Sequence, residues 1–113
     1  MSRTSRYDAF VQRLTQGVLD TPGESASALR RAVLERGKRP GSAAGDLPPA
    51  IASYVDKVVR HAYKVTDAEV ESLQASHSDD TLFELTVAAT VGAALHRLER
   101  GMAALRGSGG EPD

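Results

Sequence analysis

The chain has 113 residues, a length that suits one domain of modest size. Its formal net charge of −1 gives no overall field that would favour nucleic acid or an anionic membrane surface. The sequence has no cysteine, which excludes disulfides, thiolate catalysis and cysteine-based metal sites, and two Phe, three Tyr and no Trp give little material for stacking on bases.

The remaining composition is that of an ordinary soluble protein, and no apolar run is long enough to span a membrane. The first ten residues, MSRTSRYDAF, lack the apolar segment of a secretory signal. We therefore expect a cytoplasmic protein with no cofactor, no metal, no nucleic-acid partner and no membrane partner. We expect residues 1–5 to be disordered, residues 6–106 to form a single helical domain, and the tail 107–113 to be disordered.

Two helices are predicted before the middle of the chain. The first covers residues 6–19, with an apolar stripe that runs from Phe10 to Val18. The second is predicted to begin at Thr21, because threonine caps helices, a proline follows at the first helical position, and Glu24 can reach back to the cap. Gly37 is expected to end this helix in a left-handed conformation. Residues 38–47 are rich in Gly, Pro, Ser and Ala, which predicts a mobile loop.

The starts of two further helices are predicted after this loop. Pro48 and Pro49 are predicted to open a third helix, since proline is tolerated in the first helical turn. The apolar residues of this helix recur at helical spacing: Ile51, Tyr54, Val55, Val58, Val59 and Ala62. Thr66 and Glu69 form a predicted capping box for a short fourth helix, which carries Leu73 inward.

The stretch from Ser78 to Leu105 predicts one long helix of roughly 40 Å. Ser78 is a good cap, acidic residues crowd the start, and basic residues crowd the end, as the helix macrodipole favours. The helix has two apolar lines: Leu82, Leu85, Ala89 and Ala93 on one, and Val87, Val91, Leu95, Leu98 and Met102 on the other. With no alternating strand pattern, we expect an all-α fold of about five helices, in an orthogonal or bundle-like arrangement with a long last helix.

The segment VTDAEVESLQASHSDDTLFELTVAATVGAALHRLERGM resembles the C-terminal half of the alkylhydroperoxidase D-like, or carboxymuconolactone decarboxylase-like, helical superfamily. The matching positions are Thr66, Glu69, Val70 and Leu73, then Ser78, Asp79, Phe83 and Glu84, then His96, Arg97 and Leu98, with His96 in place of the usual asparagine. The resemblance implies a helical fold and symmetric oligomers. The thiol peroxidases of this group use a Cys-x-x-Cys pair that this chain lacks, so that chemistry does not carry over.

One hypothesis follows directly from the long helix. One apolar line can pack on the third and fourth helices, and the other then needs a partner, for which two-fold self-pairing is the commonest solution. We expect at least a dimer or a helical protein partner. The predicted interface residues are Ala88, Ala89, Val91, Gly92, Leu95 and Leu98. The favoured function is therefore a non-redox assembly or partner-binding protein, a subunit of an oligomer or accessory to an enzyme.

The alternative hypothesis is a cysteine-independent, decarboxylase-like enzyme acting on a small carboxylate. Its candidate catalytic residues are His61, Glu84, His96 and Arg97, since histidine serves acid–base chemistry near neutral pH and arginine binds carboxylates. Glu84 could pair with His61 or Lys57, or act only as a carboxylate that matches the helix dipole. The two hypotheses differ spatially: an enzyme needs these four side chains in one closed polar pocket.

Overall fold

The computed structural model describes residues 3–20, 22–40 and 47–110, and every regular element within these ranges is helical. The helices are α1 (Arg3–Asp20), α2 (Ser27–Lys38), α3 (Pro49–His61), α4 (Asp67–Gln74) and α5 (Asp79–Gly110), with a short 3-10 turn, Ala62–Lys64, after α3. The predicted all-α class with five helices is therefore confirmed for the described part of the chain.

Helix α5 is the centre of the fold. Its 32 residues correspond to about 48 Å, nearly the full 54 Å length of the molecule. Helices α1, α2, α3 and α4 all pack on it, and α2 packs on it most extensively. Helices α3 and α4 thus pack on α5 as expected, but the larger contribution of α2 was not anticipated. The core consists mainly of aliphatic side chains from α2, α3 and α5: Val33, Leu34, Ile51, Val55, Leu85 and Leu95 are its largest fully buried members.

Two glycines allow α2 and α5 to approach at backbone distance. A Cβ atom on Gly92 would lie 3.1 Å from Gly37 Cα and 3.1 Å from the carbonyl carbon of Leu34, and closer still to the Leu34 oxygen. A Cβ atom on Gly37 would meet the Ala89 carbonyl in the same way. Gly37 thus lies inside α2 and serves the helix crossing, and its predicted role as a left-handed cap is wrong.

The start of α2 also differs from the prediction. Thr21 lies outside the described residues, Pro22 and Gly23 are not helical, and α2 begins only at Ser27. The reason is tertiary: the backbone N–H groups of Glu24 and Ser25, which a local cap would have used, donate hydrogen bonds to the Glu84 carboxylate at 2.9 and 2.8 Å. A distant partner therefore outweighs the local capping signal.

The other predicted helix starts agree with the structure. Thr66 accepts a hydrogen bond from the Glu69 N–H at 3.2 Å, and the Glu69 carboxylate accepts one from the Thr66 N–H, which completes the capping box of α4. Ser78 caps α5 by accepting from the Thr81 N–H at 3.1 Å. Helix α3 starts at Pro49, directly after Pro48. These signals were readable because each one lies within four residues of the start it marks.

Both ends of the chain are more helical than expected. Helix α1 begins at Arg3, inside the segment expected to be disordered, and α5 continues to Gly110, inside the expected disordered tail. Extending an existing helix needs only one residue to be ordered for each new hydrogen bond, and no proline interrupts α5 before Pro112. In the predicted loop 38–47, Lys38 is the last residue of α2, Leu47 is buried, and residues 41–46 lie outside the described part.

Two ion pairs fix α3 between its neighbours. The Arg36 guanidinium of α2 binds both carboxylate oxygens of Asp56 on α3, at 2.8 and 2.7 Å. Lys57 of α3 binds Glu69 of α4 at 2.7 Å. Tyr54 on α3 shares a hydrogen bond of 2.8 Å with Thr86 on α5. Together these contacts make α3 run alongside α5, so that the end of α3 reaches the middle of α5.

Candidate functional site

Three of the four candidate catalytic residues line one open groove. His61 lies at the end of α3, and His96 and Arg97 lie in the middle of α5. The groove has Arg60 on its rim and is otherwise walled by four further residues: Gly37, Pro40, Val59 and Ala93. No carboxylate of a described residue lines it. The packing of α3 along α5 thus brings His61 and His96 to the same groove, which is open, whereas the enzyme hypothesis requires a closed polar pocket.

Glu84, the fourth candidate, lies elsewhere. It precedes His96 by twelve positions on the same helix, which places it about 18 Å away along α5. Its carboxylate accepts hydrogen bonds from the Ser25 hydroxyl at 2.5 Å and from two backbone N–H groups, and Arg30 lies at 3.4 Å. The predicted pairing of Glu84 with His61 or Lys57 is therefore wrong. Lys57 instead pairs with Glu69 on α4.

The hydrogen bonds to Glu84 stabilise its ionised form. The Ser25 hydroxyl contributes most, followed by the Ser25 and Glu24 N–H groups, and together with the Arg30 charge they lower the pKa of Glu84 from 4.5 to about 2. A carboxylate with so low a pKa is a poor proton donor or acceptor near neutral pH. Glu84 therefore joins the start of α2 to α5 and does not complete a catalytic group with the two histidines.

Most of the predicted interface residues belong to the core of their own chain. Ala88, Ala89, Gly92 and Leu95 are buried, and α2 crosses α5 directly over Ala89 and Gly92. Val91 and Leu98 are half-buried. No partner can reach the four buried residues while the chain keeps this fold, and Ala89 and Gly92 serve the crossing of α2 and α5.

Helix α5 nevertheless has a continuous exposed line, which we call the α5 stripe. Six α5 residues between positions 80 and 97 are exposed: Asp80, Phe83, Val87, Thr90, Ala94 and Arg97. All the remaining residues of this range are buried or half-buried. The exposed residues recur at intervals of three, four, three, four and three, the heptad spacing of a helix seam that faces another helix. The stripe is therefore one continuous face of α5 that no other described part of the chain covers.

The middle of the stripe is apolar. Phe83 is 69% exposed and Val87 is 37% exposed. The Thr90 hydroxyl already donates to the Thr86 carbonyl at 2.8 Å, so covering Thr90 would leave no hydroxyl without a partner. Charged residues occupy only the two ends, Asp80 and Arg97. Beyond Leu98, most residues of α5 up to Arg106 are exposed, Met102 is half-buried, and Leu105 is 69% exposed.

Other classes of site find no support among the described residues. No three side chains of the metal-binding types come together there. No helix in the described ranges is both long and apolar enough to cross a membrane. Tyr63 is 81% exposed, and its ring makes a T-shaped contact with the ring of His61.

A scan against protein-family models finds no match for this chain, and searches of curated proteins and of solved structures find none either.

The stripe was only partly readable from the sequence. Helical periodicity showed that α5 has apolar residues on more than one face, but it did not show which face α2 would cover. Thr90 and Ala94 are exposed although they stand among buried small residues such as Ala89 and Gly92, and their exposure depends on where the other helices lie. The usable signal was the heptad spacing from Asp80 to Arg97, with a charged residue at each end.

Proposed function

We propose that this protein is a non-redox helical assembly protein of the alkylhydroperoxidase D-like type, which acts by burying the α5 stripe against another helix. The observation that carries this proposal is the stripe itself: six exposed positions in heptad spacing on a helix whose other faces are covered. We expect such a helix face to be covered by a partner, because burying a line of exposed aromatic and aliphatic side chains lowers the free energy.

The stripe indicates what kind of helix would cover it. Phe83 protrudes near the start, whereas Ala94 leaves room near the end, so the partner needs a small residue opposite the first and a bulky one opposite the second. A partner helix would complement the charges of the stripe with a basic residue facing Asp80 and an acidic residue facing Arg97. The occupant is therefore an amphipathic helix with these two charges at the matching positions.

The enzymatic alternative draws on the groove of His61, His96 and Arg97. It would act on a small carboxylate held by arginine, with one histidine as acid and the other as base. Its weakness is that Glu84 is bound to Ser25 and Arg30 at the far end of α5, so that no carboxylate of a described residue assists the histidines. We therefore favour assembly.

Site-specific photo-crosslinking tests the assembly proposal without assuming a partner. Benzoylphenylalanine replaces Phe83 in the full chain, and a control chain carries it in place of Tyr63, which is equally aromatic and more exposed but lies off the stripe. After irradiation in living cells of the source organism, we expect a discrete adduct from position 83 and little from position 63. Equal labelling from both positions, or no adduct from position 83, would contradict the proposal.

A further inference from the structure

We infer that the helix bound by the α5 stripe is the α5 stripe of a second copy of this chain, in antiparallel orientation with Asp80 of each copy facing Arg97 of the other. This inference rests on the proposed function, since it names the partner of the same surface. It comes from one property of the stripe: its spacing of three, four, three, four and three reads the same in both directions.

Because the spacing is palindromic, a two-fold axis at the level of the Ala88–Ala89 peptide bond pairs each stripe position of one copy with a stripe position of the other. In an isologous contact of this kind, each pairing occurs twice, once on either side of the axis. The axis places Phe83 opposite Ala94 and Val87 opposite Thr90. The largest side chain of the stripe, Phe83, therefore faces one of its smallest, Ala94, which lets the two helices pack closely at both of these positions.

The charges agree with the same register. The axis places the Asp80 carboxylate opposite the Arg97 guanidinium at both ends of a contact that is about 26 Å long. Among the described residues, neither side chain has an ion-pair partner within its own chain. A parallel pairing would instead place Asp80 on Asp80 and Arg97 on Arg97. The charge order of the stripe therefore selects the antiparallel arrangement.

The distribution of charge over the whole helix favours the same arrangement. The first turn of α5 carries Asp79 and Asp80, whereas its second half carries three arginines, Arg97, Arg100 and Arg106, against one carboxylate, Glu99. In an antiparallel dimer, the basic extension of one α5 runs past the acidic start of the other. The net charge of only −1 means that this polarity is not masked by overall repulsion between copies.

Light scattering and charge reversal on the full chain test the inference. We expect a mass about twice 12.0 kDa at concentrations near 100 μM. Asp80→Lys and Arg97→Glu should each weaken dimerisation about 10-fold or more, because each change replaces two attractions with two repulsions. The double variant carrying both changes should dimerise nearly as tightly as the wild type, since the two-fold axis restores opposite charges at both ends.

Two controls make the outcome decisive. Arg31→Glu and Glu71→Lys reverse exposed charges outside the stripe and should leave the dimerisation constant unchanged. Circular dichroism confirms that every variant remains folded. A monomer at 100 μM, or a double variant no tighter than its single parents, would overturn the inference. If that occurred while position 83 still formed an adduct with a different protein, the stripe would bind a foreign helix, and the proposed function would survive without the inference.

Discussion

The crossing of α2 and α5 makes a quantitative prediction for the substitution Gly92→Ala. An added Cβ atom would lie 3.1 Å from Gly37 Cα and from the Leu34 carbonyl carbon, whereas unstrained carbon contacts need about 3.5–4.0 Å. Both neighbours are backbone atoms, so neither can rotate away and the two helices must move apart. Overfilling a packed core costs about 1–3 kcal/mol, and alanine regains about 0.5–1 kcal/mol over glycine within a helix. Because the added Cβ atom would also overlap the Leu34 carbonyl oxygen, the cost lies in the upper part of its range, about 2–3 kcal/mol. We expect a net loss of about 1–2.5 kcal/mol, which lowers Tm by roughly 5–12 °C.

Gly17→Ala provides the matched control for this measurement. Gly17 lies within α1, and an added Cβ atom there would have nothing within 4 Å. Only the helix preference remains, so Gly17→Ala should raise stability by about 0.5–1 kcal/mol. Urea unfolding followed by circular dichroism gives both values. If Gly92→Ala proved as stable as the wild type while Gly17→Ala behaved as expected, the two helices would not cross at Gly37 and Gly92. Gly92→Leu should be more damaging than Gly92→Ala, since it forces a larger separation.

Three further predictions concern local capping, pH and chemistry. Thr66→Ala removes half of the α4 capping box and should lower the unfolding free energy by about 1 kcal/mol, so an unchanged urea midpoint would place that helix start elsewhere. The pKa of Glu84 is about 2 in the folded chain against 4.5 unfolded, so its stabilising effect is complete above about pH 4.5 and is lost as the pH falls towards 2. The Tm of Glu84→Gln should therefore lie below the Tm of the wild type at pH 5, and this difference should shrink as the pH falls towards 2. A difference in Tm that stays constant between pH 2 and 5 would refute the stabilising role of ionised Glu84. Metal-free purified protein should not reduce organic hydroperoxides at a useful rate, because the chain has no cysteine, and measurable turnover in a peroxide-consumption assay would contradict this argument.

The capping signals show what could be predicted from the sequence. The pair of Thr66 and Glu69, and Ser78 before α5, act over three residues, so the residues concerned are adjacent in the printed chain. The Thr86 and Thr90 hydroxyls also bond back to carbonyls four residues earlier, as their spacing suggests. Interactions of this range depend on helix geometry alone, and the fold class follows from them together with apolar periodicity.

Glu84 and Gly37 show why the rest could not be predicted. Glu84 accepts a hydrogen bond from the N–H of Ser25, which is 59 residues away in the sequence, and no local pattern marks such a partner. Gly37 stands where a helix-ending glycine is expected, and only the position of Ala89 across the crossing reveals its other role. The candidate site follows the same rule. His61 and His96 line the same groove because α3 lies along α5. The α5 stripe is exposed because α2 packs on a different face of α5.

The dependence of the core on α2 and α5 has a consequence for how the chain is synthesised. Val33 and Leu34 on α2 are fully covered in the folded protein, mainly by a helix that is translated long afterwards. At about 5–20 residues per second, a gap of 59 residues leaves the face of α2 uncovered for about 3 to 12 s. Helices α3 and α4 appear during this interval without completing the core. Throughout it, the apolar face of α2 is open to chaperones, and to neighbouring nascent chains on the same messenger RNA.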